Sequence, residues 1–185
     1  MPERLSFQSA VQGLLSTLPV IGPDARERLK ALGVDPDQPR PAYSQEVSLA
    51  VMAFVGETLF PSLPLHERET EMSAAFLRGY SGTLVGAAAV GLAKVVGPER
   101  AIARLTRSLR TANNFAEGGT VSVGEKRVGV WIQPVVRPHL SLGVLREAGR
   151  LIVRGAHVEL TKFENERAEY VLTWHQSPQP RTSPS

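Results

Sequence analysis

The stretch that decides the fold is Gly79-Tyr80-Ser81-Gly82-Thr83-Leu84-Val85-Gly86-Ala87-Ala88-Ala89-Val90-Gly91-Leu92-Ala93, fifteen uncharged residues between Arg78 and Lys94. An α-helix that is apolar on every side has no face suited to water and must be covered all round. Gly79, Gly82, Gly86 and Ala89 form a row of small residues along which another backbone can approach closely. The reading is a central helix, buried and wrapped by its neighbours. The run is shorter than the roughly 20 residues that cross a bilayer, so a core helix is expected and a membrane span is not. Space left by the missing side chains makes Gly82, Gly86 and the preceding Phe76 candidates for lining a ligand pocket.

Towards the N-terminus the pattern is helical. Val11, Leu14, Leu15 and Leu18 have core spacing over a short helix from Gln8 to Thr17. Pro23-Asp24 opens a second helix that stops at Gly33, and Pro36, Pro39 and Pro41 stiffen the connector that follows. Ser44 is a good N-cap for a helix to Phe60, in which Val47, Val51, Phe54 and Val55 recur at i, i+4, i+7 and i+8. Pro61 and Pro64 end it. The next helix begins at about Leu65, and its first turns (Glu67, Arg68, Glu69, Glu71) read as surface.

Beyond the uncharged run, Pro98-Glu99 opens a helix reaching about Thr111. The period then changes to two. Val121, Val123, Val128, Val130 and Ile132 alternate around a Gly124-Glu125-Lys126 turn. Pro138 opens another helix with Leu140, Val144, Ala148, Leu151 and Ile152 on one face. A last hairpin, His157 to Phe163 and Ala168 to Trp174, turns at Glu164-Asn165-Glu166-Arg167. Helices followed by hairpin, helix and hairpin predict an α+β fold: a helical N-terminal half around the buried central helix, then an antiparallel sheet. One domain over residues 1–175 is expected, with the Pro/Ser-rich stretch 176–185 a disordered tail.

Composition narrows the chemistry. The 185 residues are 42% hydrophobic and 21% charged, enough for one substantial core. With no cysteine, disulfides, thiolate metal sites and cysteine nucleophiles are excluded together. Met1 to Leu18 has no continuous apolar stretch of the kind a signal peptide needs, so a cytoplasmic protein is expected. Charge is uneven: residues 1–92 hold 7 basic and 10 acidic side chains, residues 93–185 hold 14 and 8. Such asymmetry suits an anionic partner.

Catalytic motifs fail on inspection. His66-Glu67 begins like a zinc-protease helix, but position 70 is Thr where the second histidine is required. Gly79-Tyr80-Ser81-Gly82 lacks the strand, the sharp turn and the later glycine of a nucleophile elbow. His66, His139, His157 and His175 are scattered without ligand spacing, and no phosphate-cradling loop occurs. No metal site, no cofactor and no enzymatic activity are expected. One surface stands out. Arg100, Arg104, Arg107 and Arg110 fall within about 120° of one helix face, opposite Ile102, Leu105 and Leu109. Together with Asn113 and Asn114 they are the candidate site for an anionic ligand or an acidic protein surface. Nucleic acid is disfavoured because no aromatic residues interleave with the arginines.

The run Leu105-Thr106-Arg107-Ser108-Leu109-Arg110-Thr111-Ala112-Asn113-Asn114-Phe115 resembles the signature of a paralogous family of unknown function found largely in myxobacteria. So do Pro41-Ala42-Tyr43-Ser44, Leu59-Phe60-Pro61 and Phe76-Leu77-Arg78-Gly79-Tyr80, and the resemblance covers roughly residues 7 to 175. Ala116-Glu117-Gly118-Gly119 departs from the polar strand start usual in that family. The order of elements is also similar to a broader group: four-vinyl-reductase domains, vesicle-tethering subunits and haem-nitric-oxide-binding domains. The four-vinyl-reductase branch implies a small hydrophobic molecule held between helices and sheet without chemistry. The haem branch implies a Tyr-x-Ser-x-Arg run for the propionates and a helix histidine for the iron. No such run is present, and His66 and His139 sit at first turns, so haem is not expected. The expectation is a non-catalytic regulatory or sensory module, a homodimer, binding a small, largely apolar ligand or a protein partner. The alternative is an interaction scaffold that engages an acidic partner through Arg100 to Arg110; an enzyme with dispersed acid and base groups ranks below both.

Overall fold

In the computed structural model, which describes residues 3–175, the chain runs β1 (Leu5–Phe7), α1 (Gln8–Leu15), α2 (Pro23–Ala31), β2 (Ala42–Ser44), α3 (Gln45–Leu59), α4 (Leu65–Ser81) and α5 (Leu84–Val96). It continues through α6 (Pro98–Arg107), a 3-10 turn (Ser108–Thr111), β3 (Glu117–Gly124), β4 (Arg127–Gln133), α7 (Pro138–Ile152), β5 (His157–Glu164) and β6 (Arg167–Thr173). β1 and β2 pair antiparallel, and β3-β4-β6-β5 form a four-stranded antiparallel sheet. The fold is α+β, with a helical N-terminal half and the sheet towards the C-terminus. The expected tail at 176–185 lies outside the described residues.

Local chemistry explains most boundaries. The Ser44 hydroxyl accepts from the Val47 amide at 3.2 Å, capping α3. Pro23, Pro98 and Pro138 each occupy a first helical turn, where a missing N–H costs nothing. Along β4 and β6, Val128, Val130, Ile132, Ala168, Tyr170 and Leu172 alternate inward and meet Leu142, Leu145 and Ala148 of α7, with Ile102 of α6. A second cluster fills the helical half, with Val11, Leu14, Leu29, Val51, Val55 and Met72 at its heart.

The central helix is α4, and it differs from the expected one. Its buried residues are Glu69, Thr70, Met72, Ser73 and Ala74, and of the charged residues that read as surface in the sequence only Glu69 is buried. The uncharged run does not form the buried rod. Its first three residues finish α4, the chain turns at Gly82 and Thr83, and α5 leaves at about 97° to α4. Leu84, Val95 and Leu92 of α5 are 89%, 83% and 50% exposed. The physical reason is Thr83. Its hydroxyl accepts from the Gly86 amide at 3.0 Å and donates to the Tyr80 carbonyl at 2.7 Å, capping a new helix where composition shows only an apolar run. No single helix is long and apolar enough to cross a membrane among the described residues.

α4 and α7 cross at very close range, and this crossing joins the two clusters. Gly143 of α7 lies on Thr70 and Ser73 of α4; a Cβ there would fall well inside contact distance of the Thr70 carbonyl oxygen and the Ser73 hydroxyl. Charge pairs fasten both ends. Arg137, just before α7, donates to Glu69 at 2.9 Å, and Arg78 donates to Glu147 at 3.1 Å, with both carboxylates buried. The buried Tyr170 hydroxyl donates to the Pro138 carbonyl at 2.8 Å, tying β6 to the start of α7, and burial raises that phenol's pKa.

Gly143→Ala should therefore lower stability by about 2–3 kcal/mol, the cost of overpacking a tight contact. Gly91→Ala, with open space around it on α5, should raise stability by up to about 1 kcal/mol through helix propensity alone. Urea unfolding of the two variants checks both signs. A pH effect follows from the N-terminus, where Arg4 holds Glu166 through contacts of 2.7 and 3.1 Å. The hydrogen bond and charge of Arg4 hold the Glu166 carboxyl below the usual carboxylate range. Its folded pKa is thus lower than the unfolded value of about 4.3, so the contribution is complete above that value and fades as pH falls through the folded one. Glu166→Gln should remove that part of the acid dependence, read as a smaller drop in Tm between about pH 6 and about pH 3 than in the unaltered chain.

Candidate functional site

Apart from Lys94, α5 is apolar, but its two faces differ in kind. Gly86, Ala89, Val90 and Ala93, spaced i, i+3, i+4 and i+7, turn towards α4, α6 and α7. These side chains are too small to fill the gap, and a groove of about 320 Å³ remains. Leu77 and Tyr80 of α4, Leu92 of α5, Leu105 of α6 and Leu151 and Ile152 of α7 supply its larger walls, with Ala101 and Ala148 among the smaller ones. Arg104 is the one charged residue lining it; Tyr80, Ser81 and Ser108 supply hydroxyls. Gly86 has a steric reason to be glycine, since a Cβ there would overlap the Tyr80 carbonyl group. The arrangement can hold a largely apolar molecule and offer a carboxylate or similar anion one arginine at the edge.

The candidate residues separate in space. Arg100, Arg104 and Arg107 are exposed on α6, and of these only Arg104 reaches the groove. Arg110, in the 3-10 turn, donates to the Asn114 carbonyl at 2.9 Å and lies 3.5 Å from Glu117. Asn113 and Asn114 act as a backbone clasp. The Asn113 side-chain oxygen accepts from the amides of Phe115 and Ala116 at 3.1 and 2.6 Å. The Asn114 side chain accepts from the Leu5 amide at 2.8 Å and donates to the Glu3 carbonyl at 3.0 Å, holding β1 in place. Of the pocket candidates, Gly86 lines the groove. Gly82 caps the exposed end of α4, and the Phe76 ring occupies the space that a Cβ on Gly13 of α1 would need. Leu77, Tyr80, Leu151 and Ile152 were not singled out by sequence; the signal for the groove was the i, i+3, i+4, i+7 repeat of small residues on α5.

Two histidines that are distant in sequence come together at the first turns of α4 and α7, where the His66 and His139 rings lie 5.5 Å apart. Among the described residues no group of three or more His, Asp or Glu side chains could hold a metal ion. A second depression, about 310 Å³, lies over Gln133, Lys162, Glu164, Arg167 and Glu169. Its charges are mutually paired, Lys162 with Glu164 at 3.1 Å and Arg167 with Glu169 at 2.9 Å, and it offers no apolar wall.

The fold is similar to that of solved H-NOX domains. It is similar to a solved structure described as "Structural insights into the molecular mechanism of H-NOX activation" (TM-score 0.65, 13% identity, covering 92% of this chain and 97% of that one). It is similar also to a mutant H-NOX protein from K. algicida in its Fe(II) unliganded form (0.64, 9%, 93% and 98%). A third match is described as "Probing the function of heme distortion in the H-NOX family" (0.62, 13%, 91% and 95%). By sequence, the chain belongs to the family described as "Protein of unknown function (DUF2378)", whose profile matches residues 4–175. No curated protein matches it. These structures are described as H-NOX domains. They also correct one expectation: proteins of this fold include haem-binding ones, so missing motifs do not make haem an unlikely ligand.

Thr83 sets the position of α5 and therefore the groove. Thr83→Ala should cost about 1 kcal/mol and fray the first turn of α5. Faster amide hydrogen exchange at Gly86 to Ala88, with unchanged exchange in α7, is the expected result.

Proposed function

We propose that this chain is a non-catalytic sensory module that holds a small, largely apolar ligand in the groove between α5 and the helices α4, α6 and α7. The groove itself carries the reading: an apolar cleft of about 320 Å³, framed by side chains too small to close it and edged by one arginine. Ligand pockets combine an apolar lining with a few polar groups that fix orientation. Here Arg104, Tyr80 and Ser108 are such groups. Likeness of fold to H-NOX domains supports the sensory part of the reading. The module is proposed to work in the cytoplasm as a homodimer, passing its state to a protein partner.

Haem is one ligand to be tested. The apolar walls suit a flat ring, and Arg104 suits a carboxylate. The groove supplies the iron no imidazole, however, because none of the histidines lines it. A haem held there would lack the proximal histidine that fixes haem in globins and peroxidases, and the described residues do not complete such a site.

Native mass spectrometry of the protein purified from its own cells should show a retained small molecule, and the same spectrum reports the subunit count. Ala89→Trp, which places an indole in the groove from an exposed position, should abolish retention with little change in Tm. Added haem provides a parallel arm, read as a Soret band that the Trp variant loses. No retained molecule and no difference between the two proteins with any apolar probe would reject the groove as a ligand site.

A further inference from the structure

The face of α5 turned away from the groove is also apolar, and none of the described residues covers it. Leu84 and Val95, 89% and 83% exposed, lie on it, and Leu92 and Tyr80, which also line the groove, are about half exposed at its edge. Large exposed aliphatic side chains gathered on one short helix mark a surface that meets something other than water. The charges around it point to the partner. From Met72 to Ala116 the chain carries six basic residues, Arg78, Lys94, Arg100, Arg104, Arg107 and Arg110, and a single acidic one, Glu99. Among the described residues, Lys94, Arg100, Arg104 and Arg107 have no carboxylate within ion-pair distance, while most other arginines of the molecule do.

We infer that α5 and its cationic neighbour α6 form a docking surface for an anionic lipid bilayer. The apolar stripe would lie in the plane of the interface and the free cations would meet lipid phosphates, the pairing that drives interfacial helices onto anionic membranes. A tyrosine at the edge of the stripe suits the headgroup level. A second copy of this chain fits less well. The 13 residues of α5 make a strip about 20 Å long and 10 Å wide, on the order of 200 Å² against the roughly 800 Å² per partner of a stable interface. Enlarging that contact around a two-fold axis would bring one cationic α6 against another. The helix is too short to span a bilayer, so the attachment is peripheral and reversible.

The test uses the full chain with large unilamellar vesicles, of phosphatidylcholine alone and of an equimolar mixture of phosphatidylcholine and phosphatidylglycerol. Sedimentation should show binding to the mixed vesicles at least about tenfold tighter than to the neutral ones, weakening as salt is raised. Leu84→Asp and Val95→Asp, at positions already in water, should each reduce that binding about tenfold with an unchanged thermal melt. Arg100→Glu with Arg107→Glu should abolish the preference for the anionic lipid. Absent binding, equal binding to both vesicle types, or Asp variants that bind like the unaltered chain would overturn the proposal. So would a concentration-dependent dimer in light scattering that Leu84→Asp dissolves, since the stripe would then be covered by a second copy.

Discussion

The contact between Gly143 of α7 and the Thr70–Ser73 turn of α4 is the constraint on which the rest of the molecule depends. Without a side chain at Gly143, α7 comes close enough for its flanking charges to find partners on α4, Glu69 for Arg137 and Arg78 for Glu147. Both carboxylates are buried, and a buried charge without a partner is costly, so the two pairs hold the helices in register as well as in contact. Because α7 also carries the inner face of the sheet, the crossing fixes the helical cluster against the sheet cluster. α4 then ends where the sheet-side core ends, and the chain must turn.

That turn creates the groove. Thr83 starts a new helix at about 97° to the old one, and α5 comes back over α6 and α7 with Gly86, Ala89, Val90 and Ala93 facing the groove and Leu92 at its edge. Close packing of α5 would require either larger inward side chains or a shorter distance to α7. The Tyr80 carbonyl under Gly86 already limits the approach at one end. An unfilled apolar cleft is costly when nothing occupies it, because the lining forfeits contacts without hydrogen bonds to compensate. Its persistence here makes sense if a ligand completes the packing, and the sequence of α5 then reads as selected for space.

Much of the fold was legible in the sequence because it is written in local signals. Prolines at first turns, Ser44 as a cap, the switch to period two after Gly119 and the Glu164–Arg167 turn each act within a few residues. Burial of α5 was not legible, since composition alone cannot separate a helix covered on all sides from one covered on a single face. In the charged first turns of α4, one residue misled in the opposite sense. Glu69 looks like surface until Arg137, distant in sequence, folds over it. Asn113 and Asn114 invited a binding role because amides hydrogen-bond readily, yet the groups they serve are backbone atoms of β1 and of the following turn. The groove could have been found by dividing α5 into its two stripes and noting that only one of them is made of small residues.

A shared architecture leaves ligand chemistry to the individual lining. Among the described residues the groove has one cation, three hydroxyls and no imidazole, a set that would suit the anionic head and apolar body of the proposed ligand. The exposed stripe of α5 lies on the same helix as the groove wall. Anything that fills the groove must press on Ala89 and Ala93 from within, while anything that covers Leu84 and Val95 presses from without. A helix of 13 residues, tied by a cap at one end and by Gly97 at the other, transmits displacement between its faces because its backbone hydrogen bonds keep it rigid. If both proposed sites are occupied, displacement of α5 by one occupant would alter the contacts of the other, and by linkage the effect would be reciprocal. Coupling of that kind would serve the sensory role proposed above.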